Sequence, residues 1–553
     1  MMSIQRLLYC FVLAVSLFSL SACVDEDTKG LLPEEKAYNS STNLYINTVA
    51  SLYNYIGGNS DSQGLEGTVR GLYDYNTFTT DEAIIPIRGG DWYDGGFWQN
   101  LYEHRWTASD ESLYNTWLYL YKVVMLCNHS LAVIDTNRSL LTDGEYLSYT
   151  SEVKAVRCLF YYELMDMFGR IPYITQDQES FADVRQQERS AVFLSIIAEL
   201  QASLPYLANE HSNLEGNYYG RMTRPVAQFL LARLFLNAEV YADDNWTDNQ
   251  RPDGKTMTFN VDGQTMNAWQ ACVRYCDEIE KEGYQLQPDY AFNFSVHNET
   301  SLENILTIPM DKIKYQNQFW YLFRSRHYAH GSALGMDAEN GTSATLATVH
   351  AYGYGTDSLD TRFAINFYAD TVKVDGKIVK MENGEPLVYQ PLVMAENLTY
   401  SPYEKTAGAR MAKYEIDRKA YTDGKLQDND IVLFRFADVL LMRAEAKVRN
   451  GENGQSDLDA VRRRVGMPSR PATLDNILRE RLLELMWEGS RRRDLIRYGL
   501  FHEAYDLRQP IEGESDAHTT VFPIPAKAID LNNKLTQNKG YKTKGQLSKT
   551  HIL

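Results

Sequence analysis

The stretch TLDNILRERLLELMWEGSRRRDLIRYG, Thr473 to Gly499, fixes an architecture that the rest of the chain must fit. Leu474, Ile477, Leu478, Leu482 and Leu485 recur at the spacing of one buried helix face. Thr473 is a good N-cap, because its hydroxyl can satisfy an amide left free at a helix start, and Gly489 is the expected stop. Glu480 and Glu484 before the glycine, and Arg491, Asp494 and Arg497 after it, place opposite charges at helical spacing around a turn. Arginine–carboxylate pairs there would lock the corner between two helices. A catalytic carboxylate pair is the sharper reading, but neighbouring arginines keep acids ionised, which does not suit a general acid. The stretch reads as scaffold.

Working outward, the same helical spacing recurs. Ser112 to Asp135 carries Leu113, Trp117, Leu120, Val124 and Leu131 on one face, and Gly144 to Phe168 carries Val153, Val156, Phe160, Leu164 and Met167, stopped by Gly169. Pro225 to Val240 is a third helix with proline at its first position. Met266 to Glu282 is amphipathic, and Leu433, Phe436, Leu440 and Ala444 form a stripe ending at Asn450-Gly451. The expected class is mainly α: helix pairs of tetratricopeptide-like kind, without a strict 34-residue period. Between Gln287 and Asn429 the chain turns rich in Gly, Asn, Asp and Tyr, with short strand-like runs at Asn304 to Pro309 and Thr371 to Val379. Irregular stretches this long on a rigid scaffold usually carry function. No Pro- or Ser-rich linker divides the chain. Residues 23–553 read as one domain, with a helical part to about 260 and a loop-rich and C-terminal part from about 261.

Residues 1–22 read as a leader. Arg6 precedes an apolar run from Leu7 to Leu20, too short to span a bilayer, and Ser21-Ala22-Cys23 follows. This resembles a bacterial lipobox, in which Cys23 is acylated and becomes the mature N-terminus. No later segment has 18 consecutive apolar residues, so lipid on Cys23 is the one anchor expected. Cys127, Cys158, Cys272 and Cys276 form no disulfide framework, and no zinc-like spacing accompanies them. Buried thiols are expected.

The chain has 553 residues and a net charge of −18, from 55 basic and 73 acidic side chains, which excludes a general nucleic-acid footprint. Tyr is abundant, at 38 against 21 Phe and 8 Trp, and its polar tip tolerates wet surfaces. No G-x-S-x-G, H-E-x-x-H or P-loop is present. Asp243 to Asp248 matches a calcium loop only loosely, with no glutamate at the twelfth position. No metal, cofactor or catalytic residue is assigned, and the protein reads as a non-enzyme.

Several stretches together resemble the SusD/RagB family. Glu152-Val153-Lys154-Ala155-Val156-Arg157 running through Tyr161-Tyr162-Glu163-Leu164 to Phe168-Gly169-Arg170-Ile171-Pro172 is similar to its helix-to-turn signature. Arg221 to Arg224 with Leu231 to Leu236, and Phe434 to Asp438 with Met442 to Ala446, resemble later helices. Glu480 to Glu484, Glu488 to Arg491 and Asp494 to Gly499 are the most specific match, and Phe522 to Pro525 with Gln537 to Tyr541 closes the series. The resemblance implies a SusD-like fold and an outer-membrane lipoprotein of Bacteroidetes facing the cell exterior. It implies a SusC-like TonB-dependent transporter as partner, and a glycan or, in some branches, a peptide as cargo.

For a sugar, an aromatic plane covers the ring face while polar groups bond its hydroxyls. The tract from Arg88 through Asp91, Trp92 and Tyr93 to Trp98 has glycine pairs on both sides, so Trp92 and Tyr93 are expected on a loop. Family resemblance assigns the stacking role to this loop, and Trp92 is the leading candidate, with Arg88, Asp91 and Tyr93 beside it; Trp98 could instead plug the core. Trp92→Ala is expected to remove binding while leaving the melting temperature nearly unchanged. Trp320 and Tyr321 could form the other side of a groove, and Asn340 lies where family members often place a tryptophan two residues on, here Thr342. Trp246 is expected to be exposed by its acidic neighbours, while Trp117, Trp269 and Trp487 read as core. A surface glycoside hydrolase and a peptide-binding RagB-like protein are the rival readings. With no basic cluster visible along the chain, highly anionic polysaccharides are disfavoured.

Overall fold

The protein is described from a computed structural model covering residues 37–57, 64–178, 183–314, 324–419, 427–511 and 514–541. Cys23, Trp320 and Tyr321 lie outside the described residues.

Long helices form where the apolar spacing places them. Helix α1 spans Glu111–Thr136 and α2 spans Asp143–Phe168. Thr142 caps α2 in a reciprocal capping box with Glu145, and Gly169, at φ 67°, ends it. Helices α3 (Arg189–Ser203), α4 (Arg224–Leu236) and α5 (Ala268–Lys281) follow, and α1 packs on α2, α2 on α3 and α4 on α5. Near the C-terminal end, α6 (Phe436–Asn450) packs on α5, α7 (Gln455–Arg464) and α8 (Leu474–Leu485), and α9 (Arg491–Tyr498) completes the corner after α8. One continuous core runs through this array and contains Trp117, Trp269 and Trp487. Cys127, Cys158, Cys272 and Cys276 are buried free thiols within it.

Among the described residues, sheet is confined to two-stranded pieces. The longest joins β1 (Asn304–Ile308) to β2 (Ile431–Arg435), antiparallel, with Ile431 opposite Ile308 and register shifts beyond Val432. Leu433, read from periodicity as helical, is therefore in a strand, and α6 starts only at Phe436. A four-residue apolar run does not by itself separate strand from helix.

The Thr473 to Gly499 corner forms, with Thr473 Oγ1 accepting from Asn476 N. Helix α8 ends at Leu485, before Gly489, and Trp487 at φ 69° makes the turn with Nε1 donating to Asn366 O at 3.0 Å. The charge pairing differs from expectation. Glu484 accepts from Arg435 at 2.6 Å, Arg362 at 2.7 Å and Arg464, while Glu480 accepts from Arg362 at 2.6 Å and from Arg462. Across the corner itself Arg481 meets Asp494 at 2.8 Å, while Arg497 pairs with Asp494 within α9 at 2.7 Å; Arg491 takes Asp81 as its carboxylate at 2.7 Å and donates to Leu478 O of α8 at 3.3 Å. The acids of α8 thus bind the loop at Arg362 and strand β2, which are remote in sequence, and the preceding helix α7. Burial alone would raise the Glu484 pKa, but Arg464, Arg435 and Arg362 hold it well below the usual carboxylate range.

Glu484→Gln keeps the shape but leaves buried guanidinium groups short of a charge partner. A loss of about 3–5 kcal/mol is expected, measured by chemical denaturation. Two neighbouring acids set an acid limit. Burial opposes ionisation of Asp438 and Glu445, but Arg481 and Arg233 bring the first, and Arg497 and Arg449 the second, down to about 2. Their ordinary values are 3.8 and 4.5, so their contribution is complete above those values and lost as pH falls toward about 2. Unfolding midpoints measured between pH 5 and pH 2 should fall through this window, and less steeply in Glu445→Gln.

Candidate functional site

Three loop segments meet at the loop around Asp91. The first, residues 87–96, is shaped by a tight pair of backbone bonds between Arg88 and Asp91, at 3.0 and 3.3 Å. The second, residues 396–408, lies beside it through Ile87 N donating to Glu396 O at 2.9 Å and Leu398 N to Ile87 O at 2.8 Å. The third surrounds a short helix, Tyr328–Leu334, whose Tyr328 hydroxyl donates to Asp91 Oδ2 at 2.9 Å. Lys405 Nζ joins the same carboxylate at 3.0 Å and also donates to Arg88 O at 3.1 Å. Asp91 is therefore the polar tie between the segments, and its pKa is depressed: partial burial opposes ionisation, and Lys405 and Tyr328 outweigh it.

Four exposed tyrosines lie on these three segments. Tyr93 is 60% exposed, Tyr328 45%, Tyr403 41% and Tyr400 97%. Trp92 and Tyr400 both have a backbone φ of 67°, a conformation that bulky residues adopt only when the surroundings impose it. For Tyr400 the surroundings include the Glu404 carboxylate, which accepts from its backbone N at 3.1 Å.

The sequence-selected residues divide. Tyr93 and Asp91 lie at the surface, as a ligand contact requires. Trp92 is half-buried: its Nε1 donates to Glu339 O at 3.0 Å, its ring lies over Gly341, and its edge meets Trp98 at 6.0 Å between centroids. A Cβ on Gly341 would stand 2.6 Å from the indole, so glycine is what lets the ring seat there. Trp92 is the wall of the platform more than its open face. Arg88 is corrected outright. It is fully buried, with Nη1 donating to Glu404 O at 2.9 Å and Nη2 to Ser343 Oγ and Ala407 O at 2.8 and 3.0 Å. It ties loops together instead of facing a ligand. Asn340 is also fully buried, in the segment that carries Trp92's two contacts, and presents nothing to solvent. Trp98 is core, its Nε1 donating to Asp94 Oδ2 at 2.8 Å. Trp246, expected to be exposed, is buried beneath the Arg189 guanidinium, 4.7 Å from its ring. Among the described residues no three His, Cys, Asp or Glu side chains gather as a metal site.

Tyr400, Tyr403 and Lys405 were not selected from the sequence. The signal available was a pair of tyrosines among turn-forming residues, Asn397-Leu398-Thr399-Tyr400-Ser401-Pro402-Tyr403, but nothing local places that run beside Tyr93.

Residues 254–541, more than half of the chain, match the SusD family, and residues 63–236 match a family described as starch-binding associating with outer membrane. The chain belongs to the SusD family. Starch-binding protein SusD of Bacteroides thetaiotaomicron is 24% identical over 98% of this chain and 99% of its own. SusD-like protein P25 of Formosa agariphila is 23% identical over 98% of this chain and 100% of its own. A solved laminarin-binding SusD-like protein superposes at TM-score 0.68 with 20% identity, over 91% of this chain and 100% of its own. Surface glycan-binding protein A of Bacteroides thetaiotaomicron, in complex with laminarihexaose, does so at 0.65 with 19% identity, over 89% and 98%. These superpositions show a shared mainly helical fold.

The packing of Trp92 changes what its removal does. Trp92→Ala is expected to cost about 2 kcal/mol by taking a half-buried ring from the core, so its melting temperature falls. Tyr93→Ala should leave thermal unfolding within about 0.5 kcal/mol of the parent. Calorimetric unfolding of the two variants side by side checks this.

Proposed function

We propose that this chain is a cell-surface glycan-binding lipoprotein. It captures oligosaccharides on the platform formed by Tyr93, Tyr328, Tyr400 and Tyr403 over the Asp91–Lys405 tie, with Trp92 as its wall. Lipid on Cys23 holds it to the outer membrane, and a SusC-like TonB-dependent transporter receives the ligand. The observation that carries the reading is the group of exposed tyrosines on adjoining loops. Each ring offers an apolar face for the C–H groups of a sugar and a hydroxyl for its rim. Asp91, Lys405 and Glu404 supply further hydrogen-bond partners. Relatives named for starch, laminarin and surface glycans support the same class of ligand.

The acids of the signature corner support binding without hydrolysis. Glu480 and Glu484 are fully buried and held by arginines, so neither can protonate a glycosidic oxygen. A wet platform of this kind gives modest affinity, because its polar groups exchange with water throughout.

Tyr93→Ala and Tyr400→Ala should each weaken oligosaccharide binding about tenfold, equivalent to about 1.4 kcal/mol, with unfolding unchanged. Calorimetric titration with neutral β- and α-glucan oligosaccharides reads this directly. Parent-like binding by both variants sinks the platform, and heat with peptide pools but not with any oligosaccharide moves the cargo to peptide.

A further inference from the structure

Beside the tyrosines opens a cleft of about 1000 Å³ between the helix Tyr328–Leu334 and the hairpin of Lys373–Val374 and Lys377–Ile378. Its wall is firm. Val372, Val379, Leu387 and Tyr389 form a small core of their own under the hairpin, and Tyr389 Oη accepts from His327 N at 2.9 Å. Tyr328 and Lys405 belong both to this cleft and to the platform, so the two are continuous.

The charge lining the cleft is unlike that of the rest of the molecule. Lys377, Lys380 and Lys405 face it, with Asp375 and Glu382 as its carboxylates. Asp375 is engaged by Arg418 at 3.0 Å and Lys405 by Asp91, with Glu404 at 3.8 Å, whereas Lys377, Lys380 and Glu382 make no ion pair among the described residues, two cations against one acid. Behind Lys405 lie two fully buried arginines. Arg88 is bonded to carbonyl groups and a serine hydroxyl, and Arg410 to Ser325 O at 3.0 Å and Lys405 O at 3.1 Å. Neither makes an ion pair among the described residues. The buried Arg362, Arg435, Arg462, Arg492 and Arg508 each meet a carboxylate. Their Nη atoms bond neutral oxygens, the Nε of each has no hydrogen-bond partner among the described residues, and no paired carboxylate balances either charge, so the field of Arg88 and Arg410 is felt on the cleft side. Its effect reaches His327 on the cleft wall: burial lowers that imidazole first, then Arg410, Arg88 and Lys405 bring it to about 4.

We propose that this cleft is a subsite for an acidic sugar, in which Lys377 and Lys380 bind a carboxylate or sulfate substituent while the adjoining tyrosines hold neighbouring rings. The inference rests on the glycan-binding reading and narrows it to oligosaccharides that carry negative charge at one position. It also amends the expectation drawn from the chain as a whole, because in a protein of net charge −18 this cleft is lined by three lysines and two carboxylates.

The test titrates the full chain with three oligosaccharides of matched length: neutral, uronate-containing and sulfated. The parent should bind at least one acidic ligand about tenfold more tightly than the neutral one, as two partly screened charge pairs allow. Raising salt from 0.1 M to 1 M, where the screening length shrinks from ~10 Å to ~3 Å, should erase most of that preference. The double variant K377A/K380A should lose the preference while binding the neutral ligand like the parent. Preference for both acidic ligands means that charge alone is read, and preference for one identifies the group; either supports the subsite. Equal binding of neutral and acidic ligands, or an acidic preference that survives K377A/K380A, overturns the subsite and leaves the platform standing. Absence of binding to all three overturns the glycan reading itself, and the subsite with it.

Discussion

The interaction on which the rest of the structure depends is the buried group of carboxylates and guanidinium groups around Glu484. A helix array of this size needs its rows fixed relative to one another, and apolar packing alone tolerates sliding. Glu484 accepts from the loop at Arg362, from strand β2 through Arg435 and from helix α7 through Arg464, so three separate segments are held to one side chain. Glu303 beside β1 pairs with both Arg435 and Arg464, and Glu488 pairs with both Arg435 and Lys413. Removing such charges from water is costly, so the arrangement is stable only when every partner is present.

The loops use polar contacts differently. Around Asp91 the bonds are few, partly exposed and made to groups that also face solvent. The helices beneath supply a fixed floor, with Trp98 in the core and Trp92 standing on it, and the loops above remain wet. This division lets tyrosines stay exposed without weakening the fold, since their removal leaves the core intact. Arg88 and Arg410 stand between the two regimes: they are buried as deeply as the scaffold arginines, but their bonds go to carbonyl and hydroxyl oxygens, and their charge remains available to the surface above them.

The helices were legible because periodicity is a local property. Gly169, Thr473 and Gly451 mark ends that the backbone confirms, Trp117 and Trp269 sit in the core their stripes indicated, and Trp487 is buried as expected but in the turn after α8. The strand at Leu433 was not legible, since its apolar run suits either element. The loop at Arg88 to Trp98 was legible as a loop, but not the roles within it. Glycine content says that the chain turns there; it does not say that Arg88 points inward, that Trp92 leans on Gly341, or that Tyr93 is left outside.

The sequence by itself determined the helix rows, the family signature around the Glu480 to Gly499 corner, and the presence of a long irregular region with rings that core packing did not explain. Only the tertiary structure decided which carboxylate meets which arginine, which aromatics face water, and where positive charge gathers in an acidic protein. The physical reason is range. Helical spacing and capping act over a few residues, whereas burial and electrostatic pairing depend on groups such as Asp91 and Lys405, or Arg88 and Arg410, that only folding brings together.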